Sequence, residues 1–423
     1  FMQIMNNSIV YFRNYLHIYS CTLYYTNVQK MSAYPEEYIK NIIDNVALTN
    51  KIENYEYSSN EFENIGQNYF GVLIPIILKG RCENKNVNLH LVMKLAPTDE
   101  RFRVSGALTL FFAKEIFVYS SLFDVYDKFQ CSDFTNKFIF PKCYYVEKEY
   151  CKEALVIEDM RQKGYNLYSD MYLDYNYTIS SIIELSKLHA LSFILKKNDP
   201  LFFEEVIKIC VPLNPDTNKR FMNILEDRLD KVQAVFHDTK YVKFLQDLRS
   251  NYVKYIDNLV NRVKGTAVCH GDIWKENILF SNTNGDIKAC LIDYQTARIS
   301  SPAFDILFLL MTSTSTHIRK KFNDIIDIYY KNFNLMLDNS GNSDLCIIYS
   351  YDDFCSDLKA CVFASFIIAN TAIWLSSGMQ QEGHVRSKIV TKSKQDVINA
   401  TNMYKNRIIE VLDDFCDLGL WDF

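Results

Sequence analysis

Two short phrases, "CHGDIWKENILF" at 269–280 and "CLIDYQTARI" at 290–299, hold an unusual concentration of oxygen-bearing side chains. Asp272, Asn277 and Asp293 each stand beside an apolar, strand-like run. Carboxylate and carboxamide oxygens are the hard donors that Mg²⁺ takes, generally a few from protein with phosphate oxygens completing the shell. A carboxylate in such a place can also serve as a general base. Residue type and spacing leave four readings open: a metal site, a general base, both together, or a polar loop. Phosphoryl transfer uses both, since it needs metal ligands, a carboxylate beside the acceptor hydroxyl and a cation on the phosphates.

The elements that must position these groups are short strands. Asp272 falls in a tight loop after "TAVCH", Asn277 opens "ILF", and Asp293 ends "KACLI". The intervening "NTNGD" reads as a hairpin turn, so strand ends on one side of a hairpin can deliver all three groups to one cleft. Up to about residue 160 other strand-like runs dominate: 69–80, 88–97, 137–150 and 153–160. One helix interrupts them at 106–124, where Phe112, Ile116, Tyr119 and Phe123 form an apolar stripe. A further helix is expected to open near Met31. Beyond residue 175 helical periodicity takes over, with segments near 218–236, 240–263, 317–337, 351–377 and 394–416. The pattern predicts an α+β, two-lobed protein: a small antiparallel-sheet N-lobe over 31–160 with one helix among its strands, and a larger, mainly helical C-lobe over 161–423. Residues 1–30 are expected to be an extension outside the core.

Composition narrows the class. The chain has 423 residues, 48% hydrophobic and 23% charged, with a net charge of −5. These values describe a mildly acidic globular protein and give no electrostatic footprint for nucleic acid. No uncharged apolar window of spanning length is evident, so no membrane span is expected. The twelve cysteines contain no CxxC pair, which predicts free thiols in a reducing, cytoplasmic setting rather than disulfides or zinc.

H-G-D-x4-N followed by a strand and D-Y-Q resembles the catalytic core of the protein-kinase-like fold, in its small-molecule branch. The ordered phrases "PEEYIKNII", "GQNYFG", "VMKLAP", "FAKEIFVYSSL", "LVIEDM", "LSKLHALSF", "CHGDIWKENILF" and "IDYQTAR" resemble the ecdysteroid kinase-like, or CHK kinase-like, family from about 35 to 305. That resemblance implies Asp272 as catalytic base and Asn277 with Asp293 as magnesium ligands. It pairs Lys94, a strand lysine for the nucleotide phosphates, with Glu115 on the helix. Gly66 and Gly71 would cover the phosphates, and the Glu158 carbonyl with the Met160 amide would hold adenine. His270 and Asp305 read as braces of the loop, and His189 as a core histidine. The family's usual D-F-Q is D-Y-Q here.

Two local features separate the chain from protein kinases. Gly271 replaces the arginine of H-R-D, which in many protein kinases answers a phosphorylated activation loop. Only residues 294–301 lie between Asp293 and "PAFDI", too few for an activation segment. The implied activity is transfer of the ATP γ-phosphate, with Mg²⁺, to a hydroxyl of an ecdysteroid or a similar sterol or alcohol. The alternatives are a choline- or ethanolamine-type amino-alcohol kinase and a pseudokinase-like ligand-binding protein. Aromatic residues at 14% suit either a sterol pocket or an ordinary core, and Trp374 with "YDDF" at 351–354 suits either an ammonium cage or packing and a helix start.

Overall fold

The computed structural model describes residues 34–59, 71–98, 100, 103–104, 107–130, 137–216, 218–379 and 393–422. The expected 1–30 extension lies outside these residues. The first described helix, α1 (Glu36–Thr49), presents Ile42, Ile43, Val46 and Ala47 to a five-stranded antiparallel sheet. The sheet comprises β1 (Glu53–Ser59), β2 (Val72–Cys82), β3 (Lys85–Leu95), β4 (Cys143–Glu147) and β5 (Ala154–Glu158). Its strand order is β1-β2-β3-β5-β4, which makes β3 central. The expected strand at 137–150 is shorter than its apolar run. Residues 137–142 instead give the Phe138 and Ile139 amides to the side chains of Gln130 and Glu184, and Pro141 has no amide to offer a ladder.

Between β3 and β4 the chain forms α2 (Leu108–Phe117), a π-helical turn (Val118–Leu122) and α3 (Phe123–Phe129). Phe112, Ile116, Tyr119 and Phe123 are buried as their spacing predicts. They pack into the core of the helical lobe and not into the sheet's own core. The helix therefore ties the sheet lobe to the segment after β9, where Tyr119 and Phe123 pack on Tyr294.

The second lobe begins with β6 (Asn166–Leu167) and α4 (Tyr175–Asn198), followed by α5 (Pro200–Ile209), α6 (Lys219–Val235) and α7 (Val242–Asn261). Four short strands follow: β7 (Ala267–Cys269), β8 (Ile278–Thr283), β9 (Asp286–Leu291) and β10 (Arg298–Ser300). β8 and β9 form the predicted hairpin, with Asn284 and Gly285 both at positive φ in its turn. β7 pairs with β10, and β6 extends the hairpin. The lobe closes with α8 (Pro302–Ser313), α9 (Thr316–Arg319), α10 (Phe322–Asn339), α11 (Leu345–Ile348), α12 (Tyr351–Ser376) and α13 (Lys394–Asp417).

α4 and α12 are long and apolar enough to cross a membrane by length and composition, yet 89% and 72% of their apolar windows are buried inside the protein. They are the central core helices. Every described cysteine is a free thiol.

Candidate active site

Lys94 stands near the end of β3, paired with Leu73 on one side and Leu155 on the other. This central position buries it to 4% exposure, where an unpaired ammonium would be very unfavourable. Its Nζ donates to Glu115 Oε2 at 2.5 Å and to Asp293 Oδ1 at 3.0 Å. Burial works against the charged lysine, but Asp293 and Glu115 together raise its pKa above the ordinary value. Burial lifts the Glu115 carboxyl to about 7, against the pull of Lys94. Strand lysine, helix glutamate and the aspartate after β9 meet at one point.

The opposite wall is the loop after β7. Asn277 donates Nδ2 to the Asp272 carbonyl at 2.8 Å and to its carboxylate at 3.3 Å, leaving Oδ1 as its donor atom for a cation. The Asn277 carbonyl accepts the Ile292 amide at 3.0 Å, which fixes the start of β8 beside the end of β9. Asp293 follows β9 with φ 67°, a left-handed conformation uncommon for a non-glycine residue. Burial pushes the Asp272 carboxyl up to about 8, and the nearby Asp293 charge adds to the shift. This excess of negative charge, with two carboxylates and a carboxamide as hard donors, fits a divalent cation of the magnesium type.

Behind the loop lies a fully buried brace. Asp305, on α8, accepts the His270 and Gly271 amides at 2.7 and 3.0 Å. Asp305 also meets His189 Nε2 at 3.1 Å, while His189 Nδ1 meets the Tyr329 hydroxyl at 2.9 Å. Burial alone would raise Asp305, but the His189 hydrogen bond and the Gly271 amide hold it below the usual carboxylate range. His270 Nε2 donates to the Ile292 carbonyl at 2.8 Å, so its proton resides there. His189, Cys269 and Asp305 bring ligand atoms within 4.8 Å of one another. All three are committed to internal hydrogen bonds, Cys269 Sγ donating to the Ser300 and Ser301 carbonyls.

Gly71 lies at the foot of β2, where a Cβ would stand 3.1 Å from the Leu95 carbonyl and 3.4 Å from the Lys94 side chain. Gly66 lies outside the described residues. Glu158 ends β5 and its carboxylate pairs with Lys163 at 2.8 Å. Met160 is buried with Tyr165 and Cys290, and among the described residues its amide makes no hydrogen bond. Trp374 is buried edge-on to Tyr404, with Arg228 and Lys231 already over its ring at 4.9 and 5.3 Å. Two resident cations oppose an ammonium cage there. "YDDF" is a helix start, Asp353 forming a capping box with Ser350.

The sequence reading missed Arg298. Its Nη2 donates to the Gly271 carbonyl at 2.9 Å, and its guanidinium stacks on Phe304 at 4.6 Å. Gly271 has φ 86°, and a Cβ there would lie 2.3 Å from the Thr296 carbonyl oxygen. H-G-D therefore needs glycine, and the cation beside the loop comes from β10. The only signal was an arginine five residues after the D-Y-Q aspartate.

A sheet lobe holding a buried lysine–glutamate pair, joined to a loop with an aspartate, an asparagine and a second aspartate, defines a protein-kinase-like small-molecule phosphotransferase. The chain belongs to the ecdysteroid kinase-like family, whose model matches residues 65–341. Among curated proteins no match is found. Solved structures similar to this chain include an ethanolamine kinase of Plasmodium vivax, at 13% identity, 86% of this chain, 85% of that chain and TM-score 0.40. Another is the GDP complex of wild-type aminoglycoside 2'-phosphotransferase-IIIa, at 13% identity, 89% of this chain, 98% of that chain and TM-score 0.39. A third is choline kinase LicA from Streptococcus pneumoniae, at 13% identity, 88% of this chain, 98% of that chain and TM-score 0.36.

Proposed function

We propose that this protein is an ATP- and Mg²⁺-dependent kinase that phosphorylates a hydroxyl of a small molecule, with an ecdysteroid or similar sterol as the first candidate acceptor. The observation that carries the reading is the contact of Lys94 with both Glu115 and Asp293, beside Asp272 and Asn277. Phosphoryl transfer demands positioning and charge stabilisation more than covalent chemistry from the protein. Glu115 orients the Lys94 ammonium so that it meets the nucleotide phosphates. Asp293 and Asn277 would hold magnesium, which offsets phosphate charge when bound. Asp272 accepts the acceptor's hydroxyl proton and aims its oxygen at the γ-phosphate. Its raised pKa brings its basicity closer to neutral pH, where a general base is most effective. Gly71 and Met160 are assigned to the nucleotide side of the cleft.

Family membership supports a sterol alcohol, and the two cations over Trp374 weigh against a choline cage at that ring. Thermal melting with and without Mg·ATP tests the nucleotide part. A ligand at one hundred times its Kd stabilises by about 2.7 kcal/mol. Wild type should be stabilised and Lys94→Met should not. Equal response from both proteins, or from neither, would contradict the nucleotide assignment.

A further inference from the structure

The Lys94 ammonium is shared between two carboxylates in unequal surroundings. Glu115 Oε2 accepts from it at 2.5 Å and Asp293 Oδ1 at 3.0 Å. The Phe112 ring also faces it, 5.8 Å from Nζ to the centroid, and offers no anion. The Lys94 side chain is 5% exposed and that of Glu115 3%, whereas Asp293 retains 17%. Asp293 is therefore the carboxylate of the pair that a solute can reach. A divalent cation that met Asp293 would stand beside the ammonium, and like charges in a poorly screened site repel strongly. The ammonium in turn cannot leave Asp293 without loss, because a buried cation needs its counter-charges.

We propose that Lys94 withholds Asp293 from a free divalent cation and releases it when nucleotide phosphates take over the ammonium. The proposal rests on the reading of Asp293 as a metal ligand and of Lys94 as the phosphate-binding cation. Phosphate oxygens are the replacement anions: they accept from Lys94, and Asp293 Oδ1 becomes available to the metal. Asn277 and Asp272 hold each other through the Asn277 Nδ2 hydrogen bonds and make no ion pair with Lys94. Asp293 is thus the ligand whose availability changes. Such coupling is reciprocal, so metal and nucleotide each favour the binding of the other. Loss of Lys94 should then weaken nucleotide binding and tighten the binding of free metal.

The test is manganese(II) binding to the full chain at neutral pH without nucleotide, followed by the electron paramagnetic resonance of the free ion. Manganese(II) shares magnesium's preference for carboxylate and carbonyl oxygen. Lys94→Met should bind the free ion at least about tenfold more tightly than wild type, and adding Asp293→Asn to it should remove the gain. Lys94→Met/Glu115→Gln removes one positive and one negative charge together and stands in if Lys94→Met does not fold. It too should bind free manganese more tightly than wild type, which a change in net charge would not produce. Calorimetry with Mn·ATP should show the opposite order, with wild type binding more tightly than either variant. If wild type binds Mn·ATP and the double variant gains nothing for free manganese, the proposal is overturned while the kinase reading stands. If wild type does not bind Mn·ATP, the reading fails and the proposal with it.

Discussion

Lys94 Nζ lies 3.0 Å from Asp293 Oδ1, joining two residues 199 positions apart in the chain. One is in the central strand of the sheet and the other follows the hairpin of the helical lobe. Glu115 completes the trio, so one buried ammonium compensates two carboxylates.

Lys94→Met leaves Glu115 buried without its cation. Removing one partner of a buried pair is typically destabilising by about 3–5 kcal/mol, because the other charge remains uncompensated. We expect a loss of that order in urea unfolding, and less than half of it in the Lys94→Met/Glu115→Gln double variant. Equal losses in both proteins would show that the pair is not the source.

Asp272→Asn separates stability from turnover. Removing a general base should lower kcat by about 10²–10⁴ while Mg·ATP affinity changes little. The folded carboxyl titrates near 8, above its ordinary value of 3.8. Its contribution to stability is thus fully present at pH below 3.8 and is lost as pH rises through 8. In metal-free protein Asp272→Asn should therefore raise the Tm at pH 8 and above and change it little near pH 4. A Tm gain that is the same at both pH values would contradict the assigned titration.

Tyr294 is the D-Y-Q residue where the family has phenylalanine. Its ring is buried against Tyr119, Phe123 and His270, and its hydroxyl has no hydrogen-bond partner among the described residues. A buried unsatisfied hydroxyl costs about 1–3 kcal/mol. Tyr294→Phe should stabilise the protein by about 1 kcal/mol in chemical unfolding without loss of Mg·ATP binding. Destabilisation would reveal a partner for the hydroxyl.

Gly271→Ala should be severe. The new methyl would meet the Thr296 carbonyl at 2.3 Å in a backbone conformation that favours glycine. We expect a stability loss above about 2 kcal/mol, with hydrogen exchange rising at the His270 and Gly271 amides that Asp305 accepts. Unchanged protection of those amides would contradict the tight fit.

The loop after β7 was legible because its geometry is local. Asp272, Asn277 and Asp293 are separated by one turn and one hairpin, so residue type and spacing brought them to one place, while the choice between a metal site, a general base and a polar loop came from the family resemblance. Asp305 and His189 were correctly read as a brace and a core histidine, roles that the buried hydrogen-bond network bears out. Lys94 and Glu115 were found through strand-then-helix order, but the burial that distinguishes them from solvated surface charges depends on sheet position. Arg298 escaped notice because its surroundings come from other segments: β7, Gly271 and Phe304. Many of the aromatic residues proved to be core, as in the buried cluster of Tyr329, Phe333, Tyr349 and Phe354, where Tyr329 stacks on Phe333 and Phe354 and Tyr349 meets both edge-on.

The most direct test is ATP turnover with Mg²⁺ against 20-hydroxyecdysone, ecdysone, choline, ethanolamine and an aminoglycoside, with Asp272→Asn in parallel. The account predicts phosphorylation of a hydroxyl acceptor, an ecdysteroid first among them, that falls at least a hundredfold in the variant. Turnover undiminished in Asp272→Asn would contradict the assigned base. A wild-type protein that neither binds Mg·ATP nor phosphorylates any acceptor would contradict the kinase itself.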